Sequence, residues 1–159
     1  MSDPFTHLAT DVASQLDQLA EQIWQGEMEP AVLELCRLRI AAMLDSPTDT
    51  ARRNPQAAEA GLPEKKILSL PMWPTSELFS QAERAALAFT EKYVQDAHSI
   101  TDQDCQELNS HFSPGAVVNL TIALATFEAV IRSRVALARI GLSGVAEGSA
   151  ASQPRPPAP

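Results

Sequence analysis

Pro30-Ala-Val-Leu-Glu34-Leu-Cys36-Arg37-Leu-Arg39-Ile40-Ala-Ala-Met43-Leu44 reads as one helix. Pro30 suits the first helical position, where its missing N–H would have had no intrahelical acceptor. Leu33, Cys36, Ile40 and Met43 follow at i, i+3, i+7 and i+10, which puts them on one face. That face needs something to pack on, and the rest of the chain offers helices. No run alternates β-branched with polar residues, and no Asn-Gly or Asp-Gly turn occurs.

Working outward, Pro63 suits the first position of a helix over Glu64 to Leu70. Ser80-Gln-Ala-Glu83 is a capping box that opens a helix running to about Asp96, with Leu87, Phe89, Tyr93 and Val94 on its apolar side. Thr101 to Asp104 caps another, ending near His111. Ser113-Pro114 caps the longest, which runs to Ile140, with Gly141 placed as its left-handed terminator. From Val117 to Ile131 that helix is apolar almost all round, the pattern of a bundle centre or a subunit interface. Asp45 to Pro55, with Ser46-Pro47 and Asn54-Pro55, predicts a turn or a short broken helix. Pro71 to Thr75, with Met72, Trp73 and Pro74, predicts a loop with an aromatic plug. The stretch from Ser143 to Pro159 is rich in Ser, Gly, Ala and Pro and is expected to be disordered. The expected architecture is therefore an all-α bundle of about six helices in one domain over 1–142, followed by a Pro-rich tail over 143–159.

The 159 residues carry a net charge of −8. Nucleic-acid affinity rests mainly on Lys and Arg neutralising phosphates. An acidic chain with no Lys/Arg run is a poor partner for nucleic acid, and equally for an anionic membrane. Met1 to Ser14 has no basic start followed by an apolar run, so no secretory signal is expected. Val117 to Ile131 is interrupted by Asn119, Thr121, Thr126 and Glu128 and reads as too short to span a bilayer. The only cysteines are Cys36 and Cys105, far apart, and they suggest no secreted disulfide framework. These features predict a cytoplasmic protein. Neither His98 nor His111 belongs to a cluster with metal-ligand spacing, so no metal site is expected, and no cofactor is implied.

Three blocks carry a family resemblance. Pro30 to Arg39 resembles the helix that precedes the active-site motif in alkyl hydroperoxidase D-like proteins. Phe79-Ser-Gln-Ala-Glu83-Arg84-Ala-Ala-Leu87-Ala-Phe is similar to a second block of that group. Thr101 to Asp104, His111-Phe112-Ser113 and the apolar helix to Arg132 resemble its closing segment. Together they cover about Pro30 to Leu137 and point to the carboxymuconolactone decarboxylase and alkyl hydroperoxidase D superfamily. The resemblance implies a homo-oligomer, a trimer or a hexamer built from trimers. It also implies a peroxidase motif of a Glu, a Cys-x-x-Cys pair and a His. In that motif a thiolate attacks peroxide and a second thiol resolves the sulfenic acid. Counting from Glu34, the two cysteine positions fall on Ser46 and Asp49, and the His position on Arg53. A hydroxyl and a carboxylate cannot run thiol chemistry, so thiol peroxidase and disulfide reductase activity are expected to be absent.

Glu34 is then either an acid/base group in a pocket or a carboxylate paired with Arg37, Arg39 or Arg132. Ser46, Asp49 and Arg53 form either a polar pocket, with Arg53 holding the carboxylate of a small acidic or lactone-like ligand, or a drifted, solvated loop. Glu128 and Arg132 stand at i, i+4 with the acid first, the favourable order for a helical pair. They either line the pocket of Glu34 or pair between subunits. Glu128 also stands where the family pattern has Asn. Trp24, Trp73, Phe79, Phe89 and Phe127 read as core or interface, and Cys36 as a small buried hydrophobe. Two functional classes follow. One is a non-redox binder, or an enzyme of the lyase or isomerase kind. The other is a catalytically inert structural or interaction relative. Residual peroxidase activity through Cys36 is a distant third.

Overall fold

Leu33, Leu35, Cys36, Ile40 and Ala41 are completely buried, and all five lie on one helix, α2 (Pro30–Met43). In the computed structural model, which describes residues 4–141, α2 is the axle of the bundle. Its preceding neighbour is α1 (Pro4–Ile23), and the chain continues through α3 (Pro47–Ala51), α4 (Pro55–Glu59), α5 (Glu64–Leu68), α6 (Gln81–Gln95), α7 (Asp102–His111) and α8 (Pro114–Arg139). Single 3₁₀ turns occur at Leu70–Met72 and Ala97–Ser99, and there is no strand among the described residues. The expected all-α class holds. The helix count rises from about six to eight because α1 was not expected and the stretch after Asp45 forms two five-residue helices, α3 and α4.

Two apolar clusters explain why α2 is central. Leu33, Cys36 and Ile40 join Trp24, Phe89, Leu120, Leu124, Phe127 and Ile131 in one core shared with α1, α6 and α8. Leu35 and Leu38 face away from it and pack with Leu70, Phe79 and Leu87 in a second. A helix covered on both sides has no polar face, which is why α2 carries so little amphipathic signal. The sequence made α8 the bundle centre or an interface. In the fold α8 is packed on one side and exposed on the other, with Val118 59% and Ile122 49% accessible. α8 is 26 residues long and reaches a mean hydropathy of 1.6, enough by length and composition to cross a bilayer. The reading of Val117 to Ile131 as too short stopped at the apolar run, and the helix extends beyond it. Its packed side lies against α1 and α2.

The anticipated caps form. Ser80 with Glu83 and Thr101 with Asp104 are reciprocal capping boxes, and Ser113 Oγ accepts from the Ala116 N–H. Gly141 takes a φ of 79°. Pro63 lies one residue before the position expected and α5 ends at Leu68, two residues early, because the chain tightens into the 3₁₀ turn at Leu70–Met72. The end of α2 places the site. Ser46 N–H donates to Ala41 O at 2.9 Å and Asp45 N–H to Ala42 O at 3.3 Å, which is a Schellman motif. Asp45 holds the left-handed position with a φ of 52°, where a glycine is usual. The reversal turns Ser46 inward and starts α3 beneath α8. The tail over 143–159 lies outside the described residues.

Candidate functional site

Two carboxylates lie beside the Schellman turn, and both are 1% exposed: Glu34 on α2 and Asp49 on α3. A buried carboxylate is costly unless it is paired and hydrogen-bonded, and each of these is both. Arg37, one helical turn after Glu34, grips it with two bonds, Nε to Oε2 at 2.7 Å and Nη2 to Oε1 at 2.8 Å. The Asn54 N–H adds a third bond to Oε1 at 3.0 Å. Arg37 also donates to the carbonyls of Asp49 at 3.0 Å and Arg52 at 2.8 Å, so one guanidinium ties α2 to the middle and the C-terminal cap of α3. Asp49 receives the Ser46 hydroxyl on Oδ2 at 2.7 Å and Nη1 of Arg134, from α8, on Oδ1 at 2.7 Å. Among the described residues no buried side-chain polar atom lacks a hydrogen-bond partner.

Two clefts open beside this network. The first, about 190 Å³, is lined by apolar Trp24, Phe127 and Ile131 and by charged Arg37, Asp49, Arg52 and Arg134. Trp24 and Phe127 lean together with ring centroids 5.5 Å apart. The second, about 310 Å³, is lined by Ser46, Asp49, Arg52, Arg134 and Arg139. Asp49, Arg52 and Arg134 border both. Arg52 is exposed and its guanidinium has no side-chain partner among the described residues, whereas Arg37 and Arg53 each have one and Arg134 has two.

The structure thus brings Glu34, Ser46 and Asp49 into one network, with Glu34 paired to Arg37 rather than Arg39 or Arg132. Glu34 sits behind Arg37 and lines neither cleft. Arg53 reaches the rim of the first cleft, but its guanidinium is taken by Glu64 at 2.9 Å. That hydrogen bond raises the pKa of Arg53 and draws Glu64 below the usual carboxylate range. Glu128 and Arg132 do pair, at 2.7 Å, but on the outer side of α8 with Arg132 exposed. They line neither cleft, which corrects the expectation that they share a pocket with Glu34. The α8 arginine that reaches inward is Arg134. A signal for it was present: Phe127, Ile131 and Arg134 stand at i, i+4 and i+7, so the charge falls in line with the buried positions.

Cys36 is fully buried, and burial above all pushes its thiol up to about 12. The Glu83 charge acts the same way, while the hydrogen bond with Thr90 opposes both. Cys105 is exposed, and both cysteines are free. No group of three or more His, Cys, Asp and Glu side chains able to hold a metal ion occurs among the described residues.

The helical arrangement around α2 and α8 is the alkyl hydroperoxidase D-like fold. It superposes on a crystal structure of an Agrobacterium tumefaciens protein of unknown function, with a suggested role as the antioxidant defence protein AhpD. The TM-score is 0.68 at 20% identity, over 79% of this chain and 85% of that one. It is also similar to the debrominase Bmp8 in complex with 2,3,4-tribromopyrrole, with a TM-score of 0.66 at 19% identity, over 85% of this chain and 76% of that one. No family model matches the sequence, and no curated protein matches it.

Proposed function

We propose that this protein is a non-redox, small-molecule-binding member of the alkyl hydroperoxidase D-like group, without thiol peroxidase activity. The observation that carries the reading is the pair of clefts sharing Asp49, Arg52 and Arg134. An open site with charged residues in its lining favours a ligand-binding protein over an inert relative, in which a collapsed apolar site is the expectation. The degenerate motif supports the non-redox half. Ser46 Oγ is committed to Asp49, and the buried, protonated thiol of Cys36 is a poor nucleophile. A lyase-type reaction would draw its acid/base group from Asp49, which borders the clefts, with Glu34 as a positioning residue that fixes Arg37. The small heteroaromatic molecule bound by the debrominase supports a ring-sized site in this fold.

The reading extends to a cytoplasmic homo-oligomer. Val118 and Ile122, one turn apart on the outer side of α8, favour association of copies along that helix. The binding reading is tested by amide chemical-shift mapping of the full chain with a panel of small organic acids. Shifts concentrated over 17–24, 49–55 and 127–134 are expected. Shifts scattered over the surface, or none, overturn it.

A further inference from the structure

Charge and volume narrow the ligand class of the first cleft. Six charged side chains border it: Asp17, Arg37, Asp49, Arg52, Arg53 and Arg134. Glu34 neutralises Arg37, Glu64 neutralises Arg53, and Asp49 neutralises Arg134. Asp17 stands 3.6 Å from Arg134, half exposed at the rim. Arg52 is left as the one guanidinium at the cleft whose charge has no contact partner among the described residues. The apolar part of the lining includes Trp24, Phe127 and Ile131. At about 190 Å³ the cleft exceeds by little the roughly 150 Å³ apolar cavity that accepts one benzene ring.

We infer that this cleft takes a monoanionic carboxylic acid carrying a single ring, with the carboxylate on Arg52 and the ring against Trp24 and Phe127. The inference rests on the binding reading above and names its ligand class. A planar guanidinium matches a carboxylate with two parallel bonds, which a neutral amide cannot reproduce. A second negative charge on the ligand has no free cation to meet and must approach Asp49 and Asp17, so dianions are disfavoured. Arg134 borders the same cleft but is held by Asp49.

The test uses the full-length protein and isothermal titration with benzoate, benzamide, cyclohexanecarboxylate and phthalate, repeated on Arg52→Gln. The Arg52 side chain is exposed and makes no hydrogen bond or ion pair among the described residues, so this variant is expected to keep the fold. Benzoate and cyclohexanecarboxylate are expected to bind at least about tenfold tighter than benzamide and phthalate, with that preference lost in Arg52→Gln. Trp24 fluorescence, followed in a Trp73→Phe background, is expected to change on binding benzoate. Benzamide or phthalate binding as tightly as benzoate, Arg52→Gln binding benzoate unchanged, or no binding by any of the four overturns the inference. Loss of the inference alone leaves the shift mapping with other acids localised to the cleft. Failure of the binding reading removes that localisation too.

Discussion

Arg134 Nη1 lies 2.7 Å from Asp49 Oδ1, joining α8 to α3 across 85 residues of sequence. Both residues border the two clefts. Asp49 is 1% exposed, so its charge depends on that partner and on the Ser46 hydroxyl alone. Arg134→Met is expected to cost about 3–5 kcal/mol, because it strands a buried carboxylate. The double variant Asp49→Asn with Arg134→Met is expected to regain most of that loss. Urea denaturation of the three variants against wild type measures both. A loss under about 1 kcal/mol in Arg134→Met means the pair is solvated and contributes little.

Asp45 occupies a left-handed position at the end of α2 without being glycine. Asp45→Gly is expected to raise stability by up to about 1 kcal/mol, since glycine adopts that φ without a Cβ clash. Asp45→Val is expected to lower it by about 1–2 kcal/mol, since a β-branched side chain tolerates the region worst. Thermal melts read the order Gly, Asp, Val, and any other order removes the Schellman turn as the determinant.

The thiols differ in burial, and their chemistry should follow. An aromatic disulfide reagent near pH ~8 is expected to titrate one cysteine in the native protein and both after unfolding. Cys105→Ser removes the native reaction and Cys36→Ala leaves it. Rapid native labelling of Cys36 contradicts the burial that holds its pKa at about 12.

Lys92 donates twice to Asp104 at 2.7 Å, and the Thr101 backbone and hydroxyl add to it, holding the Asp104 carboxyl down at about 2. The folded pKa lies below the unfolded value of about 3.9. The contact therefore stabilises the protein above pH ~4, and its contribution is lost as pH falls from there toward 2. Carbon-detected titration of Asp104 is expected to give a midpoint of about 2 in wild type. Lys92→Met is expected to move it up toward the ordinary carboxylate range and to flatten the acid limb of the stability curve. An unchanged midpoint in the variant removes Lys92 as the leading cause.

The elements legible in the sequence are those with local signals. The capping boxes at Ser80 and Thr101 and the terminator at Gly141 are written in a few adjacent residues, and each appears where its spacing placed it. α1 was not read although Pro4 stands at its first position, the signal used at Pro30; its last turn carries no basic residue to mark the other end. α4 was hidden by the Asn54-Pro55 pair, which reads as a turn until Asn54 Oδ1 is seen accepting from the Gln56 and Ala57 N–H groups. The site was half legible. Ser46 and Asp49 lie three residues apart and their closeness to Glu34 came through the family pattern. Arg134 and Trp24 reach the cleft from α8 and from just after α1; helical spacing aligns Arg134 with the buried positions of α8, but its partner Asp49, 85 residues away, has no local signal. Arg53 misled for the opposite reason: it is near Asp49 in sequence, but Glu64 is nearer in space.

The central claim is that the fold here serves binding without thiol chemistry. Peroxide consumption by the purified protein, supplied with a dithiol reductant and measured beside Cys36→Ala, tests it most directly. The account predicts turnover no greater than buffer for both proteins. Turnover by wild type that vanishes in Cys36→Ala contradicts it and makes the buried cysteine of α2 the peroxidatic residue.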